Sequence, residues 1–294
     1  MNLPQLVQAS AQALTDAQVA FGHGTTNAED EAAWLVLWQL GLPLDTDTQD
    51  ATHAAPLSAP QIDKVQALIQ QRIATRKPAA YLTQEAWLQG VSFYIDERAI
   101  VPRSLIAEVL ADGSIDPWLH PDTHRVLDLC TGNGSLGILA ALAFPDITVE
   151  GLDISKDALA VAHINVKRHG LEQRMRLIES DGLQQATGTF DLILCNPPYV
   201  NAQSMSQLPA EFKAEPELAL AGGRDGMDFV RQLLQDAPRH MSEHALLVLE
   251  IGHERPFFEA AFPHLDAVWL STSAGDDHVL LLSRQAIVEG TTQP

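Results

Sequence analysis

Asn196-Pro197-Pro198-Tyr199 follows an apolar run from Phe190 to Cys195. The run reads as a buried parallel strand. Two prolines cannot continue it, because each lacks an N–H and fixes φ. The chain must leave the sheet at Asn196 in a stiff, extended turn. A carboxamide and an aromatic ring are then held at the carboxyl end of a strand, where open α/β sheets place ligands. The Asn196 side-chain oxygen and the Pro197 carbonyl can accept the two N–H bonds of a planar amide or amine, while Tyr199 packs on its flat face. Carboxamide nitrogen is a poor nucleophile because its lone pair is delocalised. Methyl delivery to it calls for positioning and electrostatics without a strong base. The alternative is a chance turn of the same composition.

A second constellation precedes it. An apolar strand runs into Asp128-Leu129-Cys130-Thr131-Gly132-Asn133-Gly134-Ser135-Leu136-Gly137. Glycines let a backbone turn tightly, approach a ligand and open a helix. Gly132, Gly134 and Gly137 formally match a dinucleotide fingerprint, which alone is a weak signal. Asp128 is the informative departure, since a carboxylate there would repel a pyrophosphate. It suits a ligand with an ammonium group, such as the methionine end of S-adenosylmethionine; the alternative is an Asp that caps the loop. Asp153, with Ile154 beside it, lies about 20 residues on, where an acid accepts hydrogen bonds from ribose hydroxyls. It could instead be an acid at a helix start. Asp181 can accept from an adenine amine, and Gly182 leaves room for the base; a polar loop is the alternative.

The elements that must position these groups divide into unlike parts. Residues 1–79 read as a small helical domain. Leu6, Val7, Leu14 and Val19 imply one helix ending near Gly22-His23-Gly24. A second spans Ala28 to Leu40, with Trp34, Leu35, Leu37 and Trp38 as its apolar face and Gly41 and Pro43 as its stop. Asp45 to Pro56 reads as a loop. A third helix starts at Ser58, with Ile62, Val65, Leu68, Ile69 and Ile73 at helical spacing. Residues 80–103 read as short strands (Tyr81-Leu82, Ala86–Leu88, Val91–Ile95, Ala99–Val101) forming a β-hairpin linker. From residue 104 to 294, strands near 125–129, 148–152, 175–179, 190–195 and 244–250 alternate with helices. Two last strands, near 267–271 and 278–283, are joined by a link too short for a parallel crossover, so they are antiparallel neighbours. The expected fold class is α/β, a seven-stranded Rossmann-like class I methyltransferase domain behind a helical domain and a connecting hairpin.

Composition sets the bounds. The 294 residues are 46% apolar, as in globular chains. No apolar run approaches the roughly 20 residues that span a bilayer, and the first residues lack a signal-peptide pattern, so a cytoplasmic location is expected. The net charge of −20, from 18 basic and 38 acidic residues, opposes loose binding to a phosphate backbone. It is compatible with a basic protein partner, and equally with plain solubility. The two cysteines, Cys130 and Cys195, form no disulfide framework and read as small residues near a cleft. The histidines show no metal spacing. Glu250 ends a strand and either lines the cleft or supports it.

Asp128–Gly134 together with Asn196–Tyr199 resembles the HemK-type protein-glutamine N5-methyltransferases, over nearly the whole chain. Ile100-Val101-Pro102-Arg103 is similar to a family stretch before the glycine loop. Glu215–Leu220 with Gly222-Gly223-Arg224-Asp225-Gly226 resembles a family hallmark that nucleic-acid amino-methyltransferases generally lack. Gly22–Thr25, Ala80–Thr83, Glu85–Trp87, Phe93–Arg98 and Pro102-Arg103-Ser104 look like the branch that modifies the third protein of the ribosomal large subunit. The release-factor branch usually has a second proline where this chain has Ser104. The resemblance implies methylation of a glutamine in that basic ribosomal protein. It implies that Asn196 and Tyr199 contact the glutamine, and that Cys130–Gly134, Asp153 and Asp181 contact the cofactor. Arg103 is expected on the substrate side, and the helical domain and hairpin are expected to choose the protein substrate. The rival readings are release-factor methylation, methylation of a nucleobase amine, and a ribosome-assembly module that only retains the fold.

Overall fold

The computed structural model describes residues 1–50 and 54–292; positions 51–53 of the expected Asp45–Pro56 loop lie outside the described residues. Helix α1 spans Leu3–Asp16. Asn2 starts it in a capping box with Gln5, their reciprocal bonds being 3.0 and 3.1 Å; such a cap is worth about 1 kcal/mol. The helix stops well before Gly22. Gln18 takes φ 52° and reverses the chain, so Val19 enters the core from outside the helix. Helix α2 spans Ala28–Leu40, as the pattern requires, and Gly41 closes it at φ 68°. Its inward face is Ala32, Leu35, Val36 and Leu37, whereas Trp38 is turned outward. Helix α3, Ala59–Thr75, begins at Ser58 in a second capping box, with Gln61.

The segment 80–103 departs from the expected run of strands. Tyr81-Leu82 lies in a short helix, α4, Ala79–Thr83. There the Tyr81 hydroxyl is buried and donates to the Ala99 carbonyl at 2.7 Å. Strands β1, Glu85–Leu88, and β2, Val91–Tyr94, do form an antiparallel hairpin. Its two-residue turn, Gln89-Gly90, has φ of 48° and 74°, the backbone of a type I′ turn. Ala99–Val101 forms no strand, because the Val101 N–H is given to the Glu215 carboxylate at 2.9 Å.

Next come α5 (Ile106–Ala111), β3 (Arg125–Leu129), α6 (Ser135–Ala143), β4 (Thr148–Asp153), α7 (Lys156–Arg168), β5 (Met175–Glu179) and β6 (Phe190–Cys195). Then follow α8 (Ala202–Gln207), α9 (Ala210–Lys213), α10 (Asp228–Asp236), β7 (Met241–Glu250), α11 (Arg255–Ala261), β8 (Val268–Thr272), β9 (Gly275–Ser283) and α12 (Arg284–Thr292). The seven strands β3–β9 form one sheet in the order β5-β4-β3-β6-β7-β9-β8. β9 is antiparallel to both neighbours, β7 and β8, and the remaining pairs are parallel. Chain order reverses between β3 and β6, which makes a crevice at their carboxyl ends.

Alternate strand residues feed two cores. Val126, Leu192, Leu194 and Val248 face one, and Leu127, Leu129, Ile193 and Leu247 the other, the period-2 pattern of a strand covered on both faces. Gly137 lets α6 lie directly on the sheet. A Cβ there would stand 2.7 Å from Met175 Cε and 3.0 Å from Val149 Cγ1.

Buried charges join the helical part to the segment after β6. Arg72 is fully buried. Its Nε donates to Glu31 at 2.8 Å and its Nη2 to the Ala20 carbonyl at 3.0 Å. Glu211, also buried, lies 3.6 Å from Arg72 and 3.1 Å from Arg76, and accepts the Ala20 N–H. Removing one member of a buried pair leaves an uncompensated charge, at a cost of about 3–5 kcal/mol. We therefore expect Arg72→Met to lose stability on that scale in urea unfolding. A loss within about 1 kcal/mol of wild type would show that the pair does not hold the two parts together.

Candidate active site

The loop after β3 and the turn after β6 face one another across the crevice. The register pairs Leu129 with Cys195, so Cys130 and Asn196 leave the sheet side by side. A cavity of about 800 Å³ opens at this edge. Cys130, Thr131, Gly132, Asn133, Asp153, Ile154, Asp181, Gly182, Asn196, Pro197, Pro198, Tyr199 and Arg103 all line it. Of the expected cofactor and substrate contacts, Asp128 and Gly134 are not in its wall.

The glycine loop is held by its own polar groups. Cys130, Gly132 and Gly134 take φ of 59°, 55° and 83°, a left-handed conformation that costs a non-glycine residue about 1–2 kcal/mol. Asp128 is buried behind the loop, where its Oδ2 accepts from Thr131 Oγ1 at 2.5 Å and from the Gly137 N–H at 2.8 Å. Burial, working against these two bonds, raises its pKa to about 7. This is the loop-capping geometry weighed above; the carboxylate reaches the cavity only through the loop it shapes. Gly134 lies against Ala162, 3.3 Å from where a Cβ would stand, and fixes the start of α6. At Gly132, by contrast, a Cβ would meet only ordinary van der Waals contact, with Ile100 nearest at 3.7 Å.

Asp153 ends β4 and binds backward into the loop. Its Oδ2 accepts the Gly132 N–H and its Oδ1 the Ser155 N–H, both at 2.8 Å. The cap of α7 is Ser155, which accepts from the Ala158 N–H at 3.1 Å, so Asp153 is free of that duty. Burial raises the Asp153 pKa against the pull of these backbone bonds. Asp181 is exposed and accepts from Gln184 Nε2 at 3.0 Å. Gly182 follows at φ 55°, and Phe229 lies 3.9 Å from its Cβ position. Phe229 also lines the cavity.

Tyr199 is surrounded by glycines. Residues 200–222 loop outward through α8 and α9 and return. The return is fixed where Val200 N–H donates to the Leu220 carbonyl and Gly222 N–H to the Val200 carbonyl, both at 2.9 Å. A Cβ on Gly222 would stand 2.7 Å from Tyr199 Cα, and one on Gly226 2.2 Å from the Tyr199 carbonyl oxygen. A Cβ on Gly252 would stand 2.6 Å from Tyr199 Cε2. The Tyr199 hydroxyl donates to Glu250 Oε1 at 3.1 Å. Among the described residues, no side chain bonds to the Asn196 carboxamide, whose oxygen and nitrogen both remain available.

Arg103 also lines the cavity, but its charge is already engaged. Nη1 and Nη2 each donate to a Glu215 oxygen at 2.7 Å, the bidentate geometry that makes such pairs strong. Its guanidinium also sits 5.5 Å over the Phe212 ring. Burial works against the Glu215 charge, yet Arg103 and the neighbouring His23 hold its carboxyl at about 2. Sequence reasoning missed His253 and His278, which share a 2.9 Å contact at the cavity wall. No spacing signal marks them. Glu250 carried a signal: it is a carboxylate at a strand's carboxyl end, as Asp153 is.

Comparison with known proteins places this geometry. Residues 114–249 match the model of the methyltransferase small domain. The chain is similar to the "ribosomal protein uL3 glutamine methyltransferase" of Bordetella pertussis, 49% identical over 97% of this chain and 96% of the relative. It is similar to the protein of the same name from Burkholderia pseudomallei, 50% identical over 94% of this chain and 92% of that one. Among solved structures, the hMettl16 catalytic domain in complex with MAT2A 3'UTR hairpin 6 aligns with a TM-score of 0.53 at 11% identity, covering 80% of this chain and 85% of that one; that likeness is one of fold. These matches cover nearly the whole of this chain and of each relative, and the chain belongs to the family of ribosomal protein uL3 glutamine methyltransferases.

Proposed function

We propose that this chain transfers a methyl group from S-adenosylmethionine to the side-chain amide nitrogen of a glutamine in ribosomal protein uL3. The observation that carries the reading is the placement of Asn196–Tyr199 beside the glycine loop, across the switch point and within one cavity. The names of the relatives that match nearly end to end support the substrate. The residues present fit the cofactor. The cavity is within the size range of small-molecule sites, and Gly132, Asp153 and Asp181 all line it. When bound, S-adenosylmethionine supplies an electrophilic methyl group on a sulfonium.

The chain's own residues do the rest by holding. Asn196 Oδ1 and the Pro197 carbonyl accept the two N–H bonds of the glutamine amide and orient its nitrogen. Pro198 keeps the turn stiff, because its φ is fixed. The Tyr199 ring limits tilt of the amide plane. Asp153 accepts from ribose hydroxyls with the lone pairs that Gly132 and Ser155 leave unused, and Asp181 with Gly182 receives the adenine. Cys130–Asn133 offer backbone to the remainder of the cofactor. Residues 1–79 and the hairpin segment 80–103 recognise the protein carrying the glutamine, while 104–294 carry out the transfer. The net charge of −20 suits a basic partner.

Two variants test these roles. Asn196→Ala should lower kcat by a factor of about 10²–10³, the scale of losing one well-placed hydrogen-bonding group. Cofactor affinity should stay within about threefold by calorimetry, and near-normal turnover on uL3 would remove the assignment. Asp153→Ala should weaken the cofactor Kd about tenfold or more, as expected for a hydrogen bond to a charged group. An unchanged titration would take the ribose role away from it. Labelled cofactor offered separately with uL3, release factor and RNA tests the substrate; transfer to either of the other two in preference to uL3 would overturn the reading.

A further inference from the structure

Glu250 is a buried carboxylate that, among the described residues, forms no ion pair. It closes β7 at the cavity wall and is 4% exposed. Its partners are all donors that carry no positive charge. Oε2 accepts from Ser104 Oγ at 2.5 Å and from the Leu105 N–H at 2.9 Å, and Oε1 accepts from the Tyr199 hydroxyl at 3.1 Å. Burial raises its pKa, against the pull of these three donors. Holding α5 alone would not call for a charge, since a neutral amide oxygen could accept from Ser104 and Leu105 as well. What the carboxylate adds is a charge-assisted acceptor for a phenol, and such bonds are roughly twice as strong as neutral ones.

The phenol tip of Tyr199 is left free by its glycine contacts. Its backbone is fixed by Gly222 and Gly226, and one ring edge lies over Gly252. Rotation of the ring about its own axis and tilt at its tip are not fixed by those contacts. The bond to Glu250 fixes the tip. We infer that Glu250, anchored by Ser104 and Leu105, is the positioning residue for Tyr199 and sets the ring against which the acceptor amide lies. This rests on the methyl-transfer reading above, with Tyr199 as the group that meets substrate. Glu250 acts through Tyr199 and needs no contact with the amide. Ser104 adjoins Arg103, so two consecutive residues hold two buried carboxylates, Glu215 and Glu250.

Wild type, Glu250→Gln, Ser104→Ala, Tyr199→Phe and the Glu250→Gln/Tyr199→Phe double variant would be assayed on uL3 with labelled cofactor. Glu250→Gln should cut kcat about tenfold, with KM for uL3 and the cofactor Kd within about twofold of wild type; Ser104→Ala should cut it by a smaller factor in the same way. The double variant should be no slower than Tyr199→Phe alone, within about twofold. Wild-type kcat in Glu250→Gln overturns the inference, and so do losses that multiply in the double variant, because Glu250 would then act without Tyr199. The chain has three tyrosines, so 3-fluorotyrosine labelling gives a ¹⁹F signal for Tyr199 that needs no substrate. Glu250→Gln and Ser104→Ala should each shift that signal and leave those of Tyr81 and Tyr94 in place; an unmoved Tyr199 signal overturns the inference. If wild type fails to methylate uL3, the functional reading fails, and the ¹⁹F experiment still decides whether Glu250 holds the ring.

Discussion

The Glu215 carboxylate joins three stretches of chain that are far apart in sequence. Arg103 meets it with two parallel bonds, the Val101 N–H donates to one of its oxygens, and His23 Nε2 stands 3.4 Å from the other. Glu215 itself belongs to the return path of the loop that follows the Asn-Pro-Pro-Tyr turn. A charge this deep is tolerated only when its lone pairs are filled; here Val101 and Arg103 fill them from one wall of the cavity, and His23 approaches from the helical part. The segment before α5, the loop after β6 and the helical part are thereby set relative to one another. Glu211, a turn earlier, repeats the device with Arg72 and Arg76.

The sheet supplies a complementary order. Parallel strands end together at one edge, so the residue that follows each strand is delivered to the same place. Cys130 after β3, Asp153 at the end of β4, Asp181 shortly after β5, Asn196 after β6 and Glu250 at the end of β7 all reach one cavity by this rule alone. Their hydrogen-bond partners then differ. Asp153 ties two strand ends together through Gly132, whereas Glu250 reaches across to Ser104 and Tyr199.

Much of this was legible in the sequence, because it followed from local rules. The apolar run of β6 and the caps of α2 and α3 mark their own boundaries, and the short link before β9 forced an antiparallel pair. The parts that were not legible depend on distant partners or on very short elements. Tyr81 looks like a strand residue until its hydroxyl finds Ala99 and the segment coils into α4. Helices α8 and α9 have six and four residues, too few for a helical period to show. Arg103 is expected on the substrate side, and its engagement by Glu215 was not legible because that acid lies 112 positions later. Asp128 has the right neighbours for a ligand group, yet the Thr131 hydroxyl and Gly137 N–H of its own loop claim one of its oxygens.

The space around Tyr199 is defined by what Gly222, Gly226 and Gly252 lack. Mutational surveys that shorten side chains report on groups that touch something, and at these three positions there is nothing to shorten. The site's tightest tolerances are visible only to changes that add atoms. The Asn-Pro-Pro-Tyr turn is therefore not a portable unit: moved to another loop without those three absences, its tyrosine would have nowhere to stand.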